Sequence, residues 1–126
     1  MKRFLIMILI IVFLLSSCAK SEAAVSFMQI SQEEAKNMMD TQDVIVLDVR
    51  EQYEFEEGHI AEAVLLPVGS ISEDTAAEVI PVKDATVLVY CRSGNRSKTA
   101  SQKLAELGYT EVYEFGGINT WAYEVE

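Results

Sequence analysis

This 126-residue chain has few basic residues, no apolar run of membrane-spanning length and no repeats. Only 10 lysines and arginines stand against 20 aspartates and glutamates, a net charge of −10, which argues against a nucleic acid as partner. The longest apolar run, Phe4 to Leu15, has 12 residues, whereas a membrane-spanning helix needs roughly 20. No repeat or low-complexity stretch follows it, so the length predicts one compact domain.

The amino-terminal segment nevertheless has the pattern of a secretory signal. Lys2 and Arg3 precede the short apolar run, and small residues follow it. The tetrapeptide Leu-Ser-Ser-Cys at 15–18 resembles the lipobox of bacterial lipoproteins, a family in which cleavage before the cysteine leaves that cysteine carrying lipid. We therefore expect an exported, extracytoplasmic protein anchored to a bacterial membrane through Cys18. A plain secretory signal or an uncleaved anchor is the alternative.

This interpretation divides the chain into a signal peptide over 1–17, a lipidated tether over 18–25 and a domain over 26–126. Cleavage before Cys18 leaves 8 basic against 20 acidic residues, a net charge of −12, which argues against the domain lying flat on anionic lipid. The tether residues after Cys18 reach at most roughly 25 Å. We expect a monomer that hangs close to the membrane without adhering to it.

Cysteine and histidine are scarce in this chain. Cys18 and Cys91 are its two cysteines, and His59 is its one histidine. With Cys18 assigned to lipid, Cys91 is an odd cysteine in an exported chain, a candidate reactive thiol. A Cys18–Cys91 disulfide is the rival interpretation and requires that no lipid be attached. A lone histidine needs a specific geometric partner before it serves as a base, so we expect His59 to be structural.

Apolar runs that alternate with helical patterns predict an α/β domain. The runs at 44–47 and 86–90 are strongly apolar, as in strands buried on both faces of a parallel sheet. Further strands are expected at 27–30, 63–66 and 111–115, and helices after Ser31, over 72–80, over 97–107 and around Trp121. We expect a mainly parallel central sheet flanked by helices on both faces, with an active site beyond the carboxyl ends of the strands.

The segment that follows the strand at 86–90 carries the chemistry. Cys91 ends the strand, a polar loop follows, and Ser97 opens a helix, so free backbone N–H groups and the helix dipole favour an anion. Gly94 and Asn95 are suited to the left-handed conformations that curl such groups into a nest. Residues 91–103 hold four basic residues and no acid, which should lower the pKa of Cys91. The alternative is a buried structural cysteine before a solvated helix.

The segment 89–97, Val-Tyr-Cys-Arg-Ser-Gly-Asn-Arg-Ser, resembles the active loop of rhodanese domains. Three further pieces fit in order: Leu-Asp-Val-Arg at 47–50, Glu-Gly-His-Ile at 57–60, and Gly-Gly-Ile at 116–118 followed by Trp121. The resemblance implies that Cys91 is the nucleophile and that backbone amides of the loop cradle the outer sulfur of a persulfide. The implied substrate-binding residues are Arg92, Ser93, Gly94, Asn95, Arg96 and Ser97.

The activity implied is sulfur transfer from a donor such as thiosulfate to a thiol or cyanide, without metal or cofactor. We expect Arg92 and Arg96 to attract the donor anion, and Asp48 and Arg50 to form a structural pair near the active face. A non-catalytic persulfide carrier is the main alternative. A cysteine phosphatase or arsenate reductase on the same fold is disfavoured. The active loop of those families has an arginine six positions after the cysteine, where this chain has Ser97.

Overall fold

The computed structural model describes residues 25–126, so the predicted signal peptide and Cys18 lie outside the described residues. In that described range no helix is both long and apolar enough to cross a membrane. The strands are β1 (Met28–Gln29), β2 (Ile45–Asp48), β3 (Val64–Leu65), β4 (Thr86–Cys91) and β5 (Glu111–Gly117). The helices are α1 (Gln32–Thr41), α2 (Gln52–Glu57), α3 (Glu73–Val79) and α4 (Asn95–Glu106), with 3₁₀ turns at Val68–Ser70 and Ile118–Thr120.

The five strands form one sheet in the order β1-β5-β4-β2-β3, and all neighbouring strands are parallel. The central strand β4 is therefore flanked by β2 and β5, and the carboxyl ends of all three lie at the same edge of the sheet. Cys91 is the last residue of β4 and is paired with Gly117 at the end of β5. The sheet edge predicted to carry the active site is the one where Cys91 lies.

Both faces of the sheet are covered, which explains why β4 is apolar at successive positions. Val87, Val89 and Cys91 point into a core formed with α3 and α4, whereas Leu88 and Tyr90 point into a second core formed with α1. An α/β domain with a parallel central sheet and helices on both faces is what the sequence predicted, and that prediction is confirmed.

The elements differ from the prediction in three places. Helix α2 was not predicted; it has six mostly polar residues and no apolar stripe, and a capping box formed by Glu51 and Glu54 fixes its start. The helix expected around Trp121 is a 3₁₀ turn followed by an extended segment, in which the backbone N–H of Glu126 donates to the carbonyl of His59 at 2.8 Å. Helix α4 begins at Asn95, two residues earlier than predicted.

Candidate active site

The sulfur of Cys91 lies at the floor of the loop that joins β4 to α4. The residue is only 1% exposed. The backbone N–H of Gly94 donates to Sγ at 3.1 Å, and Sγ lies 3.4 Å from the hydroxyl oxygen of Ser97. The loop therefore contacts the sulfur through the Gly94 amide, and the first turn of α4 contacts it through Ser97.

Burial and hydrogen bonding act on this thiol in opposite directions. Burial raises the pKa of Cys91, but hydrogen bonds from the backbone amides of Ser97, Gly94 and Ser93 lower it. The pKa of Cys91 is therefore lowered, as predicted. Amide hydrogen bonds favour the thiolate because they replace part of the hydration that the buried sulfur has lost.

The shape of the loop depends on one left-handed residue. Gly94 has φ 108°, where a side chain would strain the backbone, and it is the residue from which α4 starts. Asn95 was predicted to share that conformation, but it is the first residue of the helix, and Glu62 is the one non-glycine residue of positive φ among residues 25–126. A single glycine is enough to turn the chain, because the helix geometry itself directs the next amides toward the sulfur.

The end of β5 supports the loop from behind. A Cβ placed on Gly117 would lie 2.0 Å from the carbonyl oxygen of Arg92 and 2.6 Å from the backbone nitrogen of Ser93. The same carbonyl oxygen accepts a hydrogen bond from the N–H of Asn119 at 3.2 Å. Gly117 therefore has a steric reason: only glycine at this position lets β5 approach the active loop this closely.

The two arginines of the loop have different surroundings. Arg96 donates through both terminal nitrogens to Glu54 of α2, at 2.6 and 2.9 Å. The Glu54 side chain is only 7% exposed, and its hydrogen bonds to Arg96 lower its pKa to about 2. Arg92, in contrast, is exposed and has no ion pair among residues 25–126. The sequence treated these arginines alike, but the structure pairs Arg96 with a buried carboxylate and leaves Arg92 exposed.

A cleft of about 520 Å³ opens beside the loop. Arg92 lines it together with residues between β2 and α2, in and after α2, in the second 3₁₀ turn and in the final segment: Arg50, Glu54, Glu57, Gly58, Ile118, Asn119, Val125 and Glu126. Three carboxylates thus lie around a cleft in which Arg50 and Arg92 are the cations. Since Arg50 is paired with Asp48, Arg92 is the cation of this cleft without an ion pair among residues 25–126.

The expected pair of Asp48 and Arg50 is present and buried. Arg50 donates to both carboxylate oxygens of Asp48, the shortest distance being 2.7 Å, and to the carbonyl of Gly58 at 2.7 Å. The Tyr90 hydroxyl donates to Asp48 at 2.6 Å and accepts from the N–H of Ile60 at 3.0 Å. Burial and the hydrogen bond to Asp48 raise the pKa of Tyr90. The network fixes the segment after α2 against the strand that ends in Cys91.

The contacts of His59 account for its presence in the motif at 57–60 without a catalytic role. Its ring stacks on Phe55 at 3.8 Å, Nδ1 lies 3.0 Å from the Phe55 carbonyl, and Nε2 lies 3.5 Å from a carboxylate oxygen of Glu126. Both ring nitrogens therefore face groups of the surrounding segment, in agreement with a structural role.

In the part of the chain that the structure describes, no group of side chains is arranged to hold a metal ion.

Sequence reasoning missed Glu114, which lies behind the loop. This residue of β5 is 3% exposed. Its Oε1 accepts from the Ser97 hydroxyl and from the Gly116 N–H, both at 2.8 Å. An acid inside a predicted strand was the one signal available, because an acid that becomes buried needs partners.

The fold and the site together define a parallel α/β domain whose nucleophile ends a central strand and lies under the amides of the following helix. The family model of the rhodanese-like domain matches residues 31–124, and the chain belongs to that family. A thiosulfate sulfurtransferase, GlpE, of Coxiella burnetii is 38% identical over 96 residues, 75% of this chain and 87% of the relative. The thiosulfate sulfurtransferase PspE of Escherichia coli is 38% identical over 72 residues, 57% of this chain and 68% of the relative.

Solved structures agree with this assignment. A rhodanese from E. coli, solved with anions, superimposes with a TM-score of 0.62 at 31% identity, covering 67% of this chain and 98% of the other. The solution structure of protein hp1203 from Helicobacter pylori gives a TM-score of 0.64 at 35% identity, covering 78% and 87%.

Proposed function

We propose that this protein is a sulfurtransferase that takes the sulfane sulfur of a donor such as thiosulfate onto Cys91 and passes it to a thiol or cyanide. The observation that carries the proposal is the position of the Cys91 sulfur under backbone amides, 3.1 Å from the Gly94 nitrogen, with its pKa lowered. The two relatives named as thiosulfate sulfurtransferases support the same activity.

The two half-reactions follow from a thiolate in an amide cradle. The Cys91 thiolate attacks the outer sulfur of thiosulfate, a new S–S bond forms, and the old S–S bond breaks with its electron pair leaving on sulfite. The product, a cysteine persulfide, carries its negative charge on the outer sulfur, where free amides of the loop stabilise it much as an oxyanion hole stabilises oxygen. Cyanide or a thiolate then takes that outer sulfur as thiocyanate or a new persulfide, and the Cys91 thiolate is restored.

Arg92 is positioned to attract the donor anion. It lines the cleft, and it is exposed and unpaired in the described range, so its charge reaches an approaching dianion. Arg96 instead holds Glu54, and through it the end of the cleft formed by α2. We therefore assign donor attraction to Arg92, and the orientation of α2 against α4 to Arg96.

Intact mass after thiosulfate treatment tests the proposed chemistry. We expect a gain of about 32 Da that maps to the Cys91 peptide and disappears on adding a reducing thiol, as persulfides do. Cys91→Ser, which keeps the size of the side chain, should show no gain and no thiocyanate production. A Cys91→Ser protein that still makes thiocyanate at the wild-type rate would sink the proposal. A stable persulfide with no turnover on thiols or cyanide would point to a carrier.

Export and lipidation are proposed on the sequence alone, since Cys18 lies outside the described residues. We propose that the chain is cleaved before Cys18 and held at a bacterial membrane by lipid on that residue, which the tetrapeptide at 15–18 supports. Metabolic labelling with a fatty acid should label the wild type and spare Cys18→Ala. An unlabelled wild type containing a Cys18–Cys91 disulfide would contradict both the lipid and the free active thiol.

A further inference from the structure

Glu114 is a buried carboxylate that the sulfur-transfer steps above do not use. It lies on β5, and three groups donate to it: the Ser97 hydroxyl and the Gly116 N–H at 2.8 Å to Oε1, and the Gln29 side-chain amide at 3.2 Å to Oε2. Both oxygens of Glu114 therefore act as hydrogen-bond acceptors. A carboxylate is thus built into the wall behind the active cysteine.

The Ser97 hydroxyl connects this carboxylate to the sulfur. Its oxygen lies 2.8 Å from Glu114 and 3.4 Å from the Cys91 sulfur, to which it presents itself as acceptor. A hydroxyl has one proton to donate, and a hydrogen bond to a charged carboxylate is about twice as strong as one to a neutral group. While Glu114 accepts that proton, Ser97 offers only lone pairs to the sulfur.

This geometry distinguishes the two states of the active cysteine. In the bare thiolate the negative charge is on Sγ, directly opposite the Ser97 lone pairs and one hydroxyl away from the Glu114 carboxylate. In the persulfide the charge moves to the outer sulfur, about 2 Å farther along the S–S bond, while the inner sulfur is neutral. The carboxylate therefore disfavours the thiolate more than the persulfide.

We propose that Glu114 is a positioning residue: it holds the Ser97 hydroxyl proton away from Cys91 and thereby makes the loop favour the persulfide over the bare thiolate. The inference rests on the proposed function, because it concerns how far the first half-reaction proceeds. The other charged groups around Cys91 are either paired or exposed. Arg96 pairs with Glu54, and Arg50 pairs with Asp48, whose carboxylate also accepts from Tyr90, while Arg92 is exposed.

The test compares Glu114→Gln with wild type in the full chain. The amide keeps an oxygen that accepts from Gly116, but it loses the charge that held the Ser97 proton, so Ser97 can turn its proton to the sulfur. The pH dependence of iodoacetamide alkylation, read on the Cys91 peptide by mass, should show the pKa of Cys91 falling by about one unit. In mixtures of thiosulfate and sulfite at fixed ratio, the fraction of Cys91 carrying an extra 32 Da should fall several-fold. An unchanged or raised pKa would overturn the proposal.

Two further variants separate a specific effect from a general one. Glu111→Gln removes an acid at the opposite end of β5, where its carboxylate accepts from the Tyr113 hydroxyl, and should leave the Cys91 pKa unchanged. Ser97→Ala should also shift that pKa little, because the hydroxyl proton belongs to Glu114; a rise of a unit would show that Ser97 donates to sulfur and contradict the inference. If wild type gains no sulfur, the proposed function fails, but the alkylation profiles still decide the role of Glu114.

Discussion

Replacing Gly117 with alanine is expected to disable the active loop and destabilise the domain at once. The added Cβ would lie 2.0 Å from the carbonyl oxygen of Arg92, and its three nearest atoms all belong to the Arg92–Ser93 peptide bond, so it has no flexible side chain to displace. We expect the free energy of unfolding to fall by about 2–4 kcal/mol, the range for overpacking and backbone displacement. Thiocyanate production should fall by more than about 100-fold, because displacement of reacting groups by about 1 Å has that effect.

Gly69→Ala is the matched control for this substitution. Gly69 lies in the first 3₁₀ turn, its φ is not positive, and a Cβ there would meet nothing within 4 Å. Its unfolding free energy and turnover should stay near wild type, with unfolding followed by urea titration. If Gly117→Ala retained full turnover, the close approach of β5 would not shape the cradle. Loss of stability with normal turnover would mean that Gly117 serves packing alone.

Much of this architecture could be predicted from local sequence because its causes are local. The apolar runs that became β2 and β4, the Ser31 cap of α1 and the glycine before α4 each act within a few residues. Helix α2 escaped prediction because its six residues have no apolar stripe and its capping box uses Glu51 rather than serine or threonine. The expected helix at Trp121 is replaced by backbone pairing between His59 and Glu126, which no local pattern reveals.

The charges of the site show most clearly what the sequence could not predict. Counting along residues 91–103 gives four positive charges and no acid, which predicted a strongly basic surrounding for Cys91. Folding brings Glu54 onto Arg96 from 42 residues away, and Glu114 onto Ser97 from 17 residues away. The lowered pKa of Cys91 therefore comes from hydrogen bonds rather than from a surplus of arginines. Acidic residues distant in sequence therefore offset part of the positive charge counted along residues 91–103.

The ion pair of Arg96 and Glu54 leads to the second large prediction, in which the two loop arginines behave differently. Arg96→Ala leaves the Glu54 carboxylate buried without its partner, so we expect the free energy of unfolding to fall by about 2 kcal/mol, between the values for exposed and buried pairs. Arg92→Ala removes an exposed, unpaired side chain and should change it by less than about 0.5 kcal/mol. Both variants should raise the Michaelis constant for thiosulfate, Arg92→Ala by removing attraction and Arg96→Ala by exposing the donor to an uncompensated carboxylate.

The pH dependence of stability tests the same pair. The pKa of Glu54 is lowered from 4.5 to about 2, so the folded state binds this proton less readily than the unfolded state. The stability that the pair contributes is fully present above pH 4.5 and is lost as the pH falls toward 2. Glu54→Gln should show a flatter decline than wild type over that interval in urea titrations. An identical decline in both proteins would mean that the pair contributes little.

A double variant decides whether Arg96 acts through Glu54 or on the donor itself. In Glu54→Gln/Arg96→Ala no carboxylate is left unpaired, so the double variant should be more stable than Arg96→Ala alone, a coupling typical of residues in direct contact. Its Michaelis constant for thiosulfate should also return toward wild type, because the repelling charge is gone while Arg92 remains. If Arg96 bound the donor directly, removing Glu54 as well would not restore the lost contact, and the double variant would bind thiosulfate as poorly as Arg96→Ala. That outcome would return Arg96 to the substrate-binding residues and contradict its assignment to the packing of α2 against α4.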